Sequence, residues 1–401
     1  MRRLMLFFAI VYAVEGIGQG RVGIIYQPLS YYLKVRGWTP VDVTAFFALL
    51  NFPWVIKPVF GLVSDFVPLL GYRRKSYLIL SSLVAVGAYA GIAWLSDAQG
   101  STAVLLVLTA YAMAVSSTLC GALLAENSSS FEEGGALVGQ QWLWFNIAVM
   151  ASALAGGALV ELRSPAGAVR WAAAIAAIAP IAVIAGSLLL LDETRARVDR
   201  AELKRTLASI VAAVKSRRLW LVAGFLFLYA FAPGFGTPLY YHMTDTLQFS
   251  QAYIGMLASI ASAGWIAGGL LHRWVLWRIG PKAMLYLGIV LGTLATAAFL
   301  LLEGELSAAL VNFASGVAAM IATIASLTLA AHYCPPRAEG FAFAGLMSVM
   351  NLADVASSNV GAFLYERVFG NQLAPLIIVS AATTALAAVL VPLLRLERET
   401  E

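Results

Sequence analysis

The sequence predicts an all-α polytopic membrane protein, and three observations support this fold class. Of the 401 residues, 61% are hydrophobic and only 12% are charged, whereas soluble domains carry about 25% charged residues. Apolar runs of about 20 residues, the length that a helix needs to cross a bilayer, recur from one end of the chain to the other. Lys and Arg concentrate in alternate connecting segments, as the positive-inside rule requires of a multi-pass protein.

Twelve such runs mark the predicted membrane spans, and a polar segment separates the first six from the last six. The predicted spans are 4–30, 41–66, 75–96, 101–126, 135–161, 168–191, 219–243, 250–277, 283–302, 306–333, 339–368 and 372–394. We therefore expect a six-helix bundle over 1–191, a basic cytoplasmic linker with a short surface helix over 192–218, and a second six-helix bundle over 219–401. The first run follows two arginines, but Glu15 and several glycines interrupt it, so we interpret it as a retained helix and not as a signal peptide.

The distribution of cations predicts the orientation of the spans. Most of the 26 Lys and Arg residues fall in segments that lie inside when both termini are cytoplasmic. The cations predicted to lie outside are Lys34, Arg36, Arg163, Arg170 and Arg367. This asymmetry satisfies the positive-inside rule, so we interpret the basic linker as a topology anchor and not as a nucleic-acid site. We expect a monomer in a cell membrane of the bacterial inner-membrane type.

Two six-helix halves joined by a basic linker are the layout of the major facilitator fold, in which the halves are pseudo-symmetric and a central site opens alternately to the two sides. Within this layout, the turn GLVSD (61–65) and the run GYRR (71–74) follow the motif PWVIKP (53–58). Together with EGIGQG (15–20) and CPPRAEG (334–340), these motifs resemble the folate-biopterin transporter family.

The resemblance implies secondary active transport by alternating access, with a pterin- or folate-like or related organic anion as substrate and a proton as candidate co-substrate. It also implies that Gly61, Asp65, Arg73 and Arg74 form a conformational latch between the halves. The sequence contains no nucleotide-binding loop and no catalytic motif, so an ion gradient is expected to drive transport. We expect no enzyme activity, no cofactor and no metal site.

Charged and amide side chains inside the predicted spans are the candidates for the transport site, since a charge at mid-bilayer costs about 2.5–3.5 kcal/mol. In the first span, Glu15 and Gln19 share a helical face, while Arg21 is expected about 120° from Glu15 on the same regular helix. In the second span, Lys57 lies beside a stripe that contains Trp54, and prolines bracket it. These prolines are expected to bend the span and to present the lysine inward.

Polar stripes in the fifth and eleventh spans complete the candidate site. Trp142 and Asn146 are one turn apart and suit a flat heterocycle by stacking and hydrogen bonding, although ordinary helix packing explains them equally well. Asn351 and Asp354 share one face of the eleventh span. The predicted substrate-binding residues are Glu15, Gln19, Arg21, Trp54, Lys57, Trp142, Asn146, Asn351 and Asp354.

Alternatives remain open for the residues and for the function. The protonatable candidates for proton coupling are Glu15 and Asp354, and Lys57 either meets a substrate anion or only neutralises one of these two acids. A major facilitator for another solute, such as a sugar, a muropeptide or a drug, is the first alternative function. A non-transporting membrane assembly factor is the second. The expected partners are a small-molecule substrate, a proton and the lipid bilayer.

Overall fold

A computed structural model describes residues 2–94, 99–127, 131–195, 200–334 and 339–394, and these residues form sixteen α-helices joined by short turns. The helices before the linker are α1 (Arg2–Gly18), α2 (Tyr26–Val35), α3 (Pro40–Val55), α4 (Lys57–Phe66), α5 (Lys75–Trp94), α6 (Gln99–Asn127), α7 (Phe131–Leu162) and α8 (Pro165–Leu189). The remaining helices are α9 (Arg200–Val214), α10 (Arg217–Ala230), α11 (Gly236–Asp245), α12 (Gln251–Trp274), α13 (Pro281–Ala298), α14 (Glu305–His332), α15 (Glu339–Phe363) and α16 (Leu373–Leu390). A π-turn, Leu364–Val368, extends α15.

Ten helical segments in the described part of the chain are long and apolar enough to cross a membrane. They coincide with the predicted spans 2 to 6 and 8 to 12. The predicted first and seventh spans are each broken into two shorter helices, by the turn 19–25 between α1 and α2 and by the segment 231–235 between α10 and α11. Gly20 and Gly23 weaken the first helix, and Pro233 cannot donate a helical hydrogen bond in the second.

The second span is interrupted immediately before Lys57. The helix α3 ends at Val55 and α4 begins at Lys57, with Ile56 between them at φ −101° and ψ 16°. Pro58 is the second residue of α4, where its missing N–H is not needed, and the Val59 N–H donates to the Ile56 carbonyl over 2.9 Å. The prolines therefore place the lysine at the N-terminal end of a helix.

The chain forms two compact units, of which unit 1 comprises Met1–Thr39, Phe46–Ala208 and Ser250–Ser259. In unit 1, α1 packs against α7 and α8, and α5 packs against α6 and α8. The core between these helices is built from large apolar side chains, including Phe7, Phe8, Tyr12, Leu78 and Leu119. The apolar face of α1 is thus enclosed, although its sequence also carries Glu15.

Unit 2 comprises Pro40–Ala45, Ser209–Phe249 and Ile260–Glu401. Within it, α13 packs against α14 and α16, and α10 packs against α15. Its core contains Leu226, Leu285, Ile321, Leu329 and Val391. The first residues of α3 belong to this unit and the first residues of α12 to unit 1, so the predicted bundle boundaries at 191 and 219 stay a prediction.

Replacing Gly16 with alanine is expected to destabilise unit 1, because a Cβ at this position would lie 2.6 Å from the Phe145 carbonyl oxygen and 2.8 Å from the Ala148 Cβ of α7. Overpacking of this kind costs about 1–3 kcal/mol. The midpoint of thermal unfolding in detergent should fall. Gly87, in the middle of α5, is the matched control, since a Cβ there meets no atom of the described residues within 4 Å. Equal midpoints for the two alanine variants would contradict the close packing of α1 on α7.

Candidate functional site

A partly buried acid, a buried hydroxyl and a partly buried base meet among α1, α4 and α6 in unit 1. The Lys57 Nζ donates to the Ser117 Oγ over 3.0 Å. The Glu15 carboxylate lies near Ser117 and interacts electrostatically with Lys57. The structure therefore brings together Glu15 and Lys57, which the sequence places 42 positions apart, beside a serine of α6 that was not among the predicted site residues.

The backbone around Lys57 adds positive potential to this cluster. The first turn of a helix carries unpaired N–H groups and the positive end of the helix dipole, so it favours anions and not cations. Lys57 is nevertheless the first residue of α4. Both the ammonium group and the helix end thus favour a negative partner. Within this protein that partner is Glu15, and a substrate carboxylate has the same chemistry.

The Glu15 carboxylate keeps one acceptor unused. Its Oε2 atom is buried and has no hydrogen-bond partner among the described residues. Buried polar atoms are almost always hydrogen-bonded, and an ionisable side chain within a membrane span is a functional candidate by default. This oxygen is therefore suited to hold a proton or to accept a hydrogen bond from a substrate N–H.

The break between α1 and α2 changes the predicted relation of Glu15 to Arg21. Because α1 ends at Gly18, the expectation that these two residues lie on one regular helix is wrong. The chain turns tightly instead, with the Gly23 N–H donating to the Gln19 carbonyl over 2.7 Å. Tyr89 of α5 donates its hydroxyl hydrogen to the Gly18 carbonyl, which satisfies a helix-end acceptor that the break exposes.

Arg21 and Gln19 occupy this turn, and both are partly buried. The Arg21 guanidinium interacts electrostatically with the Tyr26 hydroxyl at the start of α2. Both side chains thus lie on irregular backbone at membrane depth, which proteins tolerate where the backbone is enclosed in protein or lines a cavity.

The aromatic and amide candidates of unit 1 are placed in its helix packing. Trp54 is 6% exposed and Asn146 is 5% exposed. The Asn146 Nδ2 donates to the Trp142 carbonyl, one turn earlier in α7, over 2.8 Å. The Trp142 ring meets Phe145 edge to face, with centroids 6.1 Å apart. One amide N–H of Asn146 is thereby used within its own helix, which favours a packing role for this pair.

In unit 2, α15 supports the break between α10 and α11. The Ser357 hydroxyl donates to the Ala232 carbonyl, and the Gly234 N–H donates to the Ser357 carbonyl over 2.8 Å. Asn351 and Asp354 precede Ser357 on α15, and both are partly buried. The candidates of the eleventh span therefore lie on the helix that holds the second broken segment in place.

The predicted latch residues form an ion-pair cluster around Arg74, which is 4% exposed. The Arg74 Nη2 lies 2.5 Å from the Asp65 Oδ1 and 2.6 Å from the Glu126 Oε1. The Arg74 Nε also donates to the Glu126 Oε1 over 3.1 Å, and the Nη1 donates to the Ser64 hydroxyl. The Ser64 hydroxyl in turn donates to the Gly61 carbonyl over 2.9 Å. All five residues belong to unit 1.

Glu193 fixes the chain that leads into α5. Its carboxylate accepts hydrogen bonds from the backbone N–H groups of Arg73 (2.7 Å), Arg74 (3.0 Å) and Lys75 (2.7 Å). These are the unpaired donors of a helix N-terminus, and a carboxylate is their preferred partner. Arg73 thus joins the cluster through its backbone. The sequence shows Glu193 only as an acid that follows a span, so this contact was missed.

Among the described residues, no group of three or more His, Cys, Asp or Glu side chains is placed to hold a metal ion. Of the motif at 334–340, positions 335–338 lie outside the described residues.

Solved structures with the same fold are membrane transporters. A mutant of the nucleoside transporter NupG is 16% identical, with a TM-score of 0.74 over 98% of this chain and 100% of that chain. A D-xylose-proton symporter is 13% identical, with a TM-score of 0.74 over 97% of this chain and 96% of that chain. The predicted major facilitator fold is therefore confirmed, and the chain is a multi-pass membrane protein of this class.

The sequence relatives define the family. The BT1 family model matches residues 19–401. The folate-biopterin transporter of Synechocystis sp. is 31% identical over 94% of this chain and 78% of its own length. The probable folate-biopterin transporter 6 of Arabidopsis thaliana is 24% identical over 90% and 76%, and the folate transporter 2 of Plasmodium falciparum is 22% identical over 89% and 80%. The chain belongs to the BT1 family, so the predicted resemblance is confirmed and the protein is a transporter and not an enzyme.

Proposed function

We propose that this protein is a secondary active transporter that moves a pterin- or folate-like or related organic anion by alternating access, with a proton as co-substrate. The observation that carries the proposal is the enclosed cluster of Glu15, Ser117 and Lys57. An acid and a base that neutralise each other in the absence of ligand can exchange this contact for contacts with a ligand. The base then binds an anionic group of the ligand, and the acid binds a proton or a hydrogen-bond donor. The names of the relatives favour a pterin or folate as that ligand.

The two broken helices support a transport site near this cluster. They are the first helix of each predicted half, so the breaks occur at corresponding positions of the two halves. Interrupted helices at corresponding positions are the strongest pointer to the substrate site of a secondary transporter. Glu15 lies one turn before the first break, and Ser357 on α15 holds the second.

The proposed division of roles follows from charge. The glutamate tail of a folate carries carboxylates, for which Lys57 and Arg21 supply cations. The amino and ring N–H donors of a pterin match the unused Oε2 of Glu15. Protonation of Glu15 removes its attraction for Lys57 and frees the ammonium group for the substrate. Asp354 of α15 is the second candidate for the coupled proton.

We further propose the setting in which this transport occurs. Both termini face the cytoplasm of a bacterial inner membrane, and the protein acts as a monomer. The Arg74 cluster serves as the cytoplasmic latch, in which Asp65, Glu126 and Glu193 hold the connection between α4 and α5. The cation distribution along the chain supports this orientation.

Uptake of radiolabelled folate into proteoliposomes tests the proposal. With the membrane potential clamped at zero, an inward gradient of one pH unit supplies about 1.4 kcal/mol per proton, so we expect about tenfold accumulation. Collapsing the gradient should reduce uptake to equilibration. The absence of saturable folate uptake would contradict the substrate, whereas saturable uptake that ignores the gradient would contradict the proton coupling.

A further inference from the structure

A carboxylate holds the first turn of α12 within unit 1. The Glu161 Oε1, at the end of α7, accepts hydrogen bonds from the backbone N–H groups of Gln251 (2.6 Å) and Ala252 (3.2 Å). Gln27 of α2 donates to the Gln251 carbonyl over 2.6 Å and to its side-chain oxygen over 3.1 Å. Both glutamines are 7% exposed. The N-terminal turn of α12 is therefore fixed by polar contacts to α7 and α2.

The two helices also pack without side chains between them. A Cβ on Gly157 of α7 would lie 2.7 Å from the Gln251 carbonyl oxygen and 3.2 Å from the Gly255 Cα. Two turns further along α12, the Ser259 hydroxyl donates to the Met150 carbonyl over 2.8 Å, and Ser259 is 5% exposed. This close backbone contact ends with unit 1 at Ser259, after which α12 continues in unit 2.

A corresponding contact occurs within unit 2. The Glu366 Oε2, in the π-turn after α15, accepts a hydrogen bond over 3.3 Å from the backbone N–H of Val41, in the first turn of α3. The Glu366 side chain is 13% exposed, and its other oxygen lies 3.3 Å from the Arg367 guanidinium. The helix α3 then continues in unit 1 from Phe46.

The two contacts are related by the predicted repeat. Glu161 ends the fifth span and holds the eighth, and Glu366 ends the eleventh and holds the second. Spans 5 and 11 occupy corresponding positions in the two predicted halves, and so do spans 2 and 8, so the two contacts are equivalent under the predicted repeat. Both occur at helix ends that the cation distribution places outside, opposite the Arg74 cluster. In each case, one half of the sequence contributes the carboxylate and the other half contributes the helix N-terminus.

We propose that Glu161 and Glu366 are positioning residues of an outer gate, which close it by holding the N-terminal turns of α12 and α3. The contact between a carboxylate and a helix N-terminus is strong, because its hydrogen bonds are charge-assisted and the helix dipole adds to them. The contact also breaks readily when the carboxylate and the helix end move apart, since water then solvates the carboxylate and the backbone N–H groups. The gate presupposes the alternating access of the proposed function, but its test needs no substrate.

Labelling of a cysteine in place of Ser259 measures the opening of the gate. In a Cys334→Ala background, the Ser259→Cys thiol should react slowly with a water-soluble maleimide, because this position is buried against α7. Adding Glu161→Gln should raise the labelling rate about tenfold, as expected for the loss of a hydrogen bond to a charged group. The matched control is Glu303→Gln, the same charge change at an exposed position on the same predicted side. An unchanged rate in Glu161→Gln, or an equal rise in the control, would overturn the gate.

Hydrogen exchange of the otherwise native chain tests both halves of the gate, even where the cysteine variant fails to fold. Glu161→Gln should accelerate exchange in peptides covering 250–256, and Glu366→Gln should accelerate it in peptides covering 40–46. Peptides from α5 should stay unchanged in both variants. Acceleration throughout α5 would show general loosening and would overturn the gate, as would unchanged exchange at both helix ends. An absence of folate uptake together with the expected changes in exchange would count against the proposed function and not against the gate.

Discussion

Replacing Arg74 with alanine is expected to abolish transport and to lower the free energy of unfolding by about 2–4 kcal/mol. The guanidinium is 4% exposed and neutralises Asp65 and Glu126 while it also donates to Ser64. Removing one partner of a buried ion pair leaves unpaired charge and costs about 3–5 kcal/mol. We expect a smaller loss than for a fully buried pair, because the Asp65 and Glu126 side chains are 37% and 47% exposed and water screens them.

The neighbouring Arg73 provides the matched control for this prediction. Its backbone N–H is held by Glu193, and that bond survives replacement of the side chain by alanine. Arg73→Ala should therefore lower the midpoint of thermal unfolding much less than Arg74→Ala. Arg74→Lys should fall between them, because lysine keeps the charge but cannot reproduce the fork of the guanidinium. Equal losses of stability and of uptake at positions 73 and 74 would contradict the assignment of the latch to the Arg74 side chain.

Replacing Lys57 with methionine is expected to lower stability by about 2–3 kcal/mol and to abolish uptake. The change leaves the Glu15 carboxylate, whose Oε2 atom is buried, with its negative charge unpaired. Adding Glu15→Gln should restore most of the stability, since replacing both members of a buried ion pair is often neutral. Uptake should stay absent in the double variant, because both the cation and the proton acceptor are gone. A double-mutant cycle on the midpoint of thermal unfolding, measured beside uptake, separates the two effects.

Lys282→Met is the control for the loss of a positive charge, since Lys282 is exposed at the start of α13. It should leave stability and uptake close to those of the unchanged protein. If the stability losses of Lys57→Met and Glu15→Gln simply add, the two side chains do not interact and the cluster does not exist as described. If the double variant regains uptake, the pair has only a structural role.

Much of the fold follows from local sequence patterns. Predicted spans 2 to 6 and 8 to 12 match helices that are long and apolar enough to cross a membrane, because the length of an apolar run and the bilayer thickness are linked directly. The helix is interrupted between the prolines at 53 and 58, whereas the bend that they predict stays a prediction. The first and seventh spans were predicted as continuous helices, because each interruption, at 19–25 and at 231–235, is short compared with the apolar run around it.

The candidate site was predicted in its parts and not in its connections. A charged residue in an apolar run stands out by composition alone, which is why Glu15 and Lys57 were selected. Ser117, which lies beside both, was not selected, because a serine in a membrane helix is common and its role depends on which helix faces it. The carboxylates Glu161, Glu193 and Glu366 were missed for a related reason. Each acts on backbone N–H groups of a distant segment, and backbone donors leave no mark in the sequence.

The amino-acid order alone was enough to establish the class of protein, its family and the positions of the costly buried charges. The class and the charge positions depend on the transfer of single residues and short runs from water into the bilayer, which is a local quantity. The family follows instead from the resemblance of short motifs to those of known members. Only the folded chain shows that Glu15 meets Lys57 beside Ser117, and that the first turns of α3 and α12 are held by carboxylates. Those contacts join positions far apart in the chain, so they depend on how whole helices pack and on where helix ends leave donors unpaired.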